Sequence, residues 1–126
     1  MKLENQVVSL ELEKKMKELG FKQESIWFWQ EYKSGGGCIY LLPKKEVKGF
    51  IGKTEVCDYY SAYTVAELGE MLPIGIVMTK YEFNKGGEIR WACAYNDENI
   101  GNRICDDTLA NCLARMLIWL RGKKII

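Results

Sequence analysis

No histidine occurs among the 126 residues. That absence removes the commonest general base, the usual metal ligand and every nucleophile arrangement that relies on an imidazole partner. The five cysteines, Cys38, Cys57, Cys93, Cys105 and Cys112, are an odd number and contain no CxxC pair. Such spacing fits neither a secreted disulfide framework nor a zinc ribbon, so reduced and mostly buried thiols are expected. A net charge of +1 leaves no field to draw in a nucleic-acid backbone, and nucleic acid is not an expected partner. The first ten residues carry no apolar stretch behind a positive end, and no later segment reaches a membrane-spanning length. The expectation is a cytoplasmic protein. Gly52-Lys53-Thr54 imitates the end of a phosphate-binding loop, but that motif needs a glycine where this chain has Val47, and no helix is expected to follow. Neither a cofactor nor a metal is expected.

What is present is globular: 48% hydrophobic, 28% charged and 12% aromatic, in a length that suits one domain over residues 1–126. A first helix is expected over residues 10–19, with Ser9 as N-cap and Gly20 as a left-handed stop. Leu12, Met16 and Leu19 would face the core, leaving Lys14, Lys15, Lys17 and Glu18 in water. Residues 26–33 read as a strand, and Gly35, Gly36 and Gly37 permit a turn into a second strand over 38–42. Pleating puts Ile26, Phe28, Gln30 and Tyr32 on one face and Trp27, Trp29, Glu31 and Lys33 on the other. Large apolar groups on both faces call either for helices on both sides or for an exposed contact surface, and the usual role of aromatics in cores favours the helices.

Residues 43–60 have the composition of an exposed excursion, with a tyrosine-rich extended stretch at 55–61. Next comes a bounded helix, with Thr64 as N-cap, Glu67 as its capping-box partner and Pro73 blocking continuation past Leu72. Two β-rich runs over 75–83 and 88–95 flank Asn84-Lys85-Gly86-Gly87, a hairpin signal. Ile89, Trp91, Cys93 and Tyr95 alternate there with Glu88, Arg90, Ala92 and Ala94, one bulky face against one small or polar face. A polar loop at 96–102 leads to a last helix capped by Asp106 or Asp107 and running to about Leu120, with Leu109, Leu113, Met116 and Leu120 as its apolar stripe. The order α-β-β-α-β-β-α defines an α+β domain of antiparallel hairpins packed with helices.

Val7-Val8-Ser9-Leu10-Glu11-Leu12 with Lys17-Glu18-Leu19-Gly20 and Gln23-Glu24-Ser25, then Tyr63-Thr64-Val65-Ala66-Glu67-Leu68-Gly69-Glu70-Met71-Leu72-Pro73, then Asp107-Thr108-Leu109-Ala110 running to Met116-Leu117-Ile118-Trp119-Leu120, cover most of the chain. This combination resembles a family of small bacteriophage and prophage proteins. A looser similarity links it to the phage α-β-α sandwich domain, through an aromatic strand followed by a terminal helix opened by a small polar residue. The resemblance implies a phage or prophage origin and a bacterial host cytoplasm, and transfers no activity and no site residue.

Function is therefore read from side chains. Trp27, Trp29, Tyr32, Tyr59, Tyr60 and Tyr63, beside Lys33, Lys53 or Arg90, are the residue types that stack and pair with a nucleotide-like ligand or anchor a host protein. A counter-defence protein that sequesters a nucleotide signal or inhibits a host factor is one concrete form. A small assembly protein acting through homo-oligomerisation is the alternative. An enzyme is disfavoured: Cys57 beside Asp58 has no histidine to deprotonate it, Glu67 is accounted for by capping, and Glu70 reads as surface charge.

Overall fold

A computed structural model of the chain describes residues 2–33, 39–47, 56–83, 87–95 and 103–126. The expected turn around Gly35 to Gly37 with Cys38, the Gly52-Lys53-Thr54 segment, residues 84–86 of the second turn and the 96–102 loop lie outside the described residues.

Helix α1, Leu10–Glu18, turns its Leu12, Glu13 and Met16 inward and ends as its glycine requires. Gly20 has φ +86°, its N–H donates to Lys17 O at 3.0 Å, and Phe21 N–H donates to Met16 O at 3.0 Å. This pair of bonds satisfies carbonyls that the last helical turn would leave bare. The start differs from expectation, because the Ser9 side chain makes no cap. Instead the Ser9 N–H donates to Asn111 Oδ1 at 2.8 Å, so tertiary contact satisfies that end. Leu19, expected in the core, is 36% exposed.

The first sheet has the order β2-β1-β3, with β1 at Trp27–Tyr32, β2 at Ile39–Pro43 and β3 at Cys57–Ala62, all antiparallel. The tyrosine-rich stretch is thus a strand paired to β1, and the expected two-stranded hairpin is a three-stranded sheet. Pairing on both edges satisfies the backbone of β1, which carries bulky side chains on both faces. One face buries Phe28, Cys57 and Tyr59 under Val47 of a short helix α2, Lys44–Val47. The other packs Trp29 and Ala62 against Val7, with Leu3, Leu10 and Tyr60 around them. Both faces are covered, as the core reading required.

Helix α3, Val65–Met71, carries the expected capping box. Thr64 Oγ1 accepts from Glu67 N–H at 3.3 Å, and Thr64 N–H donates to Glu67 Oε1 at 2.9 Å. The second sheet has the order β4-β5-β6, from β4 at Ile76–Phe83, β5 at Glu88–Tyr95 and β6 at Ile104–Asp106. Gly87, at φ +80°, lies at the described edge of the β4–β5 turn. Strand β6 was not expected. It consumes Asp106, so helix α4, Leu109–Gly122, is capped by Thr108, whose hydroxyl accepts from Asn111 N–H at 3.2 Å.

Helix α4 buries Ala110, Cys112, Leu113, Ala114, Met116, Leu117 and Leu120, and packs on β5, β6, α3 and α1. The main core joins these to Val8, Leu12, Met16, Phe21, Tyr63, Leu68 and Cys93. The architecture is α+β with two small antiparallel sheets, and among the described residues no helix is long and apolar enough to cross a membrane.

Glu13 is an exception inside this core, with 0% of its surface exposed. Its Oε1 accepts from Tyr63 N–H at 3.0 Å, while Oε2 has no partner. Burial pushes its pKa up from 4.5 to about 8, the Tyr63 N–H opposes the shift and nearby Glu67 adds to it. A folded-state pKa raised above the unfolded one means that the native state holds the proton more tightly, so stability falls as pH rises from 4.5 through 8. At about 1.4 kcal/mol per pKa unit the loss amounts to at most roughly 5 kcal/mol. Because the chain has no histidine, few other groups titrate in this window. Urea unfolding across it is expected to show the decline in the native chain and a nearly flat profile in Glu13→Gln. A native profile that is itself flat would contradict a neutral buried Glu13.

Candidate ligand-binding cleft

Three helices begin at the same end of the molecule, and their starts are tied to one another. Val8 N–H donates to Tyr63 O at 3.0 Å, Val7 bridges to Thr64, and Asn111 of α4 holds the Ser9 N–H of α1. Between the starts of α3 and α4 lies a cleft of about 610 Å³, within the size range of small-molecule sites. Thr64, Val65 and Ala66 form one wall, Asp107 to Ala110 the other, and Asn5, Gln6 and Trp91 complete the lining.

Each lining group follows from local sequence. Trp91 reaches the cleft because the bulky positions of β5 face α4, and Lys80 Nζ sits 5.5 Å from its ring centroid. Val65 and Ala66, like Leu109 and Ala110, open their helices, so their N–H groups have no acceptor within the helix. Thr64 and Thr108 are occupied in capping the following turn. Asp107 is the one ionisable lining residue among those described, and its Oδ1 lies 3.1 Å from Arg90 Nε. Asp106 accepts from Arg115 Nε at 2.7 Å and from Asp107 N–H at 2.7 Å, which fixes the β6-to-α4 turn. The cleft thus offers a partly exposed indole, apolar walls and leading backbone donors.

Apart from Arg90, which pairs with Asp107 at the cleft wall, the residues proposed from sequence sit elsewhere. Trp29 is buried, and its indole N–H donates to Val8 O at 2.8 Å. Tyr59 is buried with its hydroxyl accepting from Gln30 Nε2 at 2.9 Å and its carbonyl accepting from Lys17 Nζ at 3.2 Å. Tyr63 is buried too, its hydroxyl donating to Lys22 O and accepting from Glu24 N–H at 3.4 Å. These three are engaged in the fold and present no free stacking face. Trp27 is half-buried beside Trp29. Tyr32 packs edge-on against Tyr40, with centroids 6.1 Å apart.

Tyr60 lies under α1, with Lys17 Nζ 4.8 Å and Lys14 Nζ 5.8 Å from its ring centroid. Lys14 also bonds Glu31 at 2.8 Å, and Lys33 approaches Asp58 at 3.9 Å. Tyr60 thus has cations over its ring and acidic neighbours beside it. Arg90 is on the second sheet, apart from the first-sheet aromatics, and Lys53 lies outside the described residues. The structure does not gather these residues into one site. Trp91, the aromatic group that does line the cleft, reads in the sequence only as part of a bulky strand face.

No protein family, curated protein or solved structure matches the chain. Among the described residues no cluster of acidic and cysteine side chains is arranged to hold a metal ion.

The two threonine caps frame the cleft, and each is expected to contribute about 1 kcal/mol to stability. Thr64→Ala and Thr108→Ala, compared with the native chain by urea denaturation, should each show a loss of that order. An unchanged midpoint for either would mean that its hydroxyl does not satisfy the helix start.

Proposed function

We propose that the chain is a non-enzymatic binding protein that takes a nucleotide-like small molecule in the cleft between α3 and α4. The observation that carries this reading is one concavity with a stacking ring and two helix starts around it. A base can lie on Trp91, and acceptor oxygens of a phosphate or ribose can meet the start of α4 at Leu109. Asp107, the only ionisable lining side chain among the described residues, is held by Arg90, which favours capture over acid–base chemistry. Together with the resemblance to phage proteins, this supports a counter-defence role in which a host nucleotide signal is sequestered.

Titration calorimetry with mono-, di- and cyclic nucleotides is expected to give saturable heat for at least one. Trp91→Ala should then weaken that binding by about tenfold or more, since stacking on an aromatic ring contributes roughly 1–3 kcal/mol per base. Ala66→Trp, which fills the cleft from an exposed position, should abolish it while the chain still melts cooperatively. No heat from any nucleotide, or binding indifferent to both substitutions, would overturn the reading.

A second reading, self-association, has one observation in its favour. The edge strand β4 and the turn before it expose Ile74 at 98%, Val77 at 50% and Met78 at 49%. If this strip forms an interface between copies, light scattering will show a defined oligomer that Val77→Lys dissociates. A monodisperse monomer at high concentration leaves the cleft reading alone.

A further inference from the structure

Cys93 on β5 and Cys112 on α4 face each other inside the core, with their sulfurs 2.9 Å apart. That separation exceeds a covalent S–S bond, about 2.05 Å, by less than about 1 Å. Both are free thiols, and carbonyls orient both. Cys93 Sγ lies 3.3 Å from Cys112 O, and Cys112 Sγ lies 3.2 Å from Ile104 O and 3.6 Å from Trp91 O. The other described cysteines are placed differently. Cys57 belongs to the cluster around Phe28, and Cys105 is exposed on the opposite face of the second sheet, across from Ala92. The spacing of the cysteines in the chain, which argued against a disulfide framework, is blind to a pair brought together by helix-on-sheet packing.

We propose that Cys93 and Cys112 form a reversible redox pair, whose disulfide locks β5 to α4. The fitting oxidant is hydrogen peroxide, small and uncharged enough to enter a packed interior where a bulky disulfide cannot follow. The Cys112 thiol is pushed far up by its hydrogen bond with Cys93 and by burial. The Cys93 sulfur takes one peroxide oxygen, the O–O bond breaks, and the released hydroxide leaves as water with the thiol's proton, giving a sulfenic acid. Cys112 then attacks that sulfur, the S–S bond forms, the S–O bond breaks, and the hydroxyl departs as a second water with the Cys112 proton. Two thiols lose two electrons, one peroxide gains them, and a dithiol reductant reverses the change.

The lock has a place in the architecture. Trp91 precedes Cys93 by two positions on the same strand face, and Leu109 precedes Cys112 by one helical turn, so the bond would tie the strand that carries Trp91 to the α4 wall of the cleft. This last consequence alone rests on the proposed binding function.

The test uses the full chain, exposed to hydrogen peroxide, then denatured, alkylated and examined by intact mass and peptide mapping. The expected result is loss of the mass of two hydrogen atoms, a 93–112 linked peptide and full reversal by dithiothreitol. The crosslink closes a loop of roughly 20 residues and should raise the thermal midpoint by about 10 °C. A chain with Cys38, Cys57 and Cys105 all replaced by serine should still form it, and Cys112→Ser should not. If that multiple variant does not fold, the native peptide map decides alone. Linkage between any other cysteines, or oxidation confined to Cys105 while Cys93 and Cys112 remain open to alkylation, would overturn the proposal. No ligand enters the readout, so failure here leaves the binding reading standing, and failure of binding leaves this one.

Discussion

Burial of helix α4 is the constraint on which the remaining packing depends. Its seven buried side chains face β5 and β6 on one side and α3 and α1 on others, so several elements share one apolar surface. None of these elements is long, and α3 has only the residues Val65–Met71. Short helices of this kind are marginal in water by themselves and owe their stability to the face they bury. The core is correspondingly rich in small groups along α4, with Ala110, Cys112 and Ala114 allowing close approach while Leu113, Met116, Leu117 and Leu120 fill the volume.

A second constraint meets the first at Tyr63. Its N–H is taken by Glu13, its carbonyl by Val8 and its hydroxyl by Lys22 and Glu24, so one residue joins α1, the N-terminal segment and the segment leading into β1. Ser25 and Gln23 support the same corner through the backbone of Ala62 and Ser61. Burying the Glu13 carboxyl is the cost of this junction, because a neutral acid satisfies the Tyr63 amide while a charged one would lack solvation. The corner positions the start of α3, and with it one wall of the cleft. A structural demand far from any ligand thereby sets the geometry of the candidate site.

Local signals carried much of this architecture. Thr64, Glu67 and Pro73 specify α3 through bonds made within four residues, and Gly20 specifies the end of α1 in the same way. The alternation of Trp91, Cys93 and Tyr95 with Ala92 and Ala94 orients most of β5, since strand periodicity needs no partner to be read, while Ile89 of the same face runs past the core and is exposed. Signals failed where a long-range partner decided the matter. Ser9 is the N-cap of α1 but caps with no side-chain bond, its own N–H going to Asn111; Asp106 was drawn into β6 by pairing with Trp91; and the stretch read as extended at 55–61 gained its partner strand from the edge of β1. The aromatic residues chosen as binding groups were chosen by type, and type does not distinguish a stacking surface from a core. Trp29 and Tyr59 went to the core because β1 and β3 lie between two covering layers, and Tyr63, just past β3, because it packs into the main core.

From the sequence alone came the α+β class, the helix boundaries that glycine, proline and capping residues mark, and the absence of histidine-based chemistry. Each rests on covalent structure or on interactions between near neighbours, and these survive whatever the rest of the chain does. Only the tertiary structure decided that two helix starts and Trp91 enclose a cleft, that Glu13 is buried in the core with its pKa pushed up, and that Cys93 and Cys112 stand sulfur to sulfur. Those features arise from the docking of α4 on β5 and of α1 on the Tyr63 corner. Docking is set by the sum of many weak apolar contacts between distant segments, and no short stretch of residues records that sum.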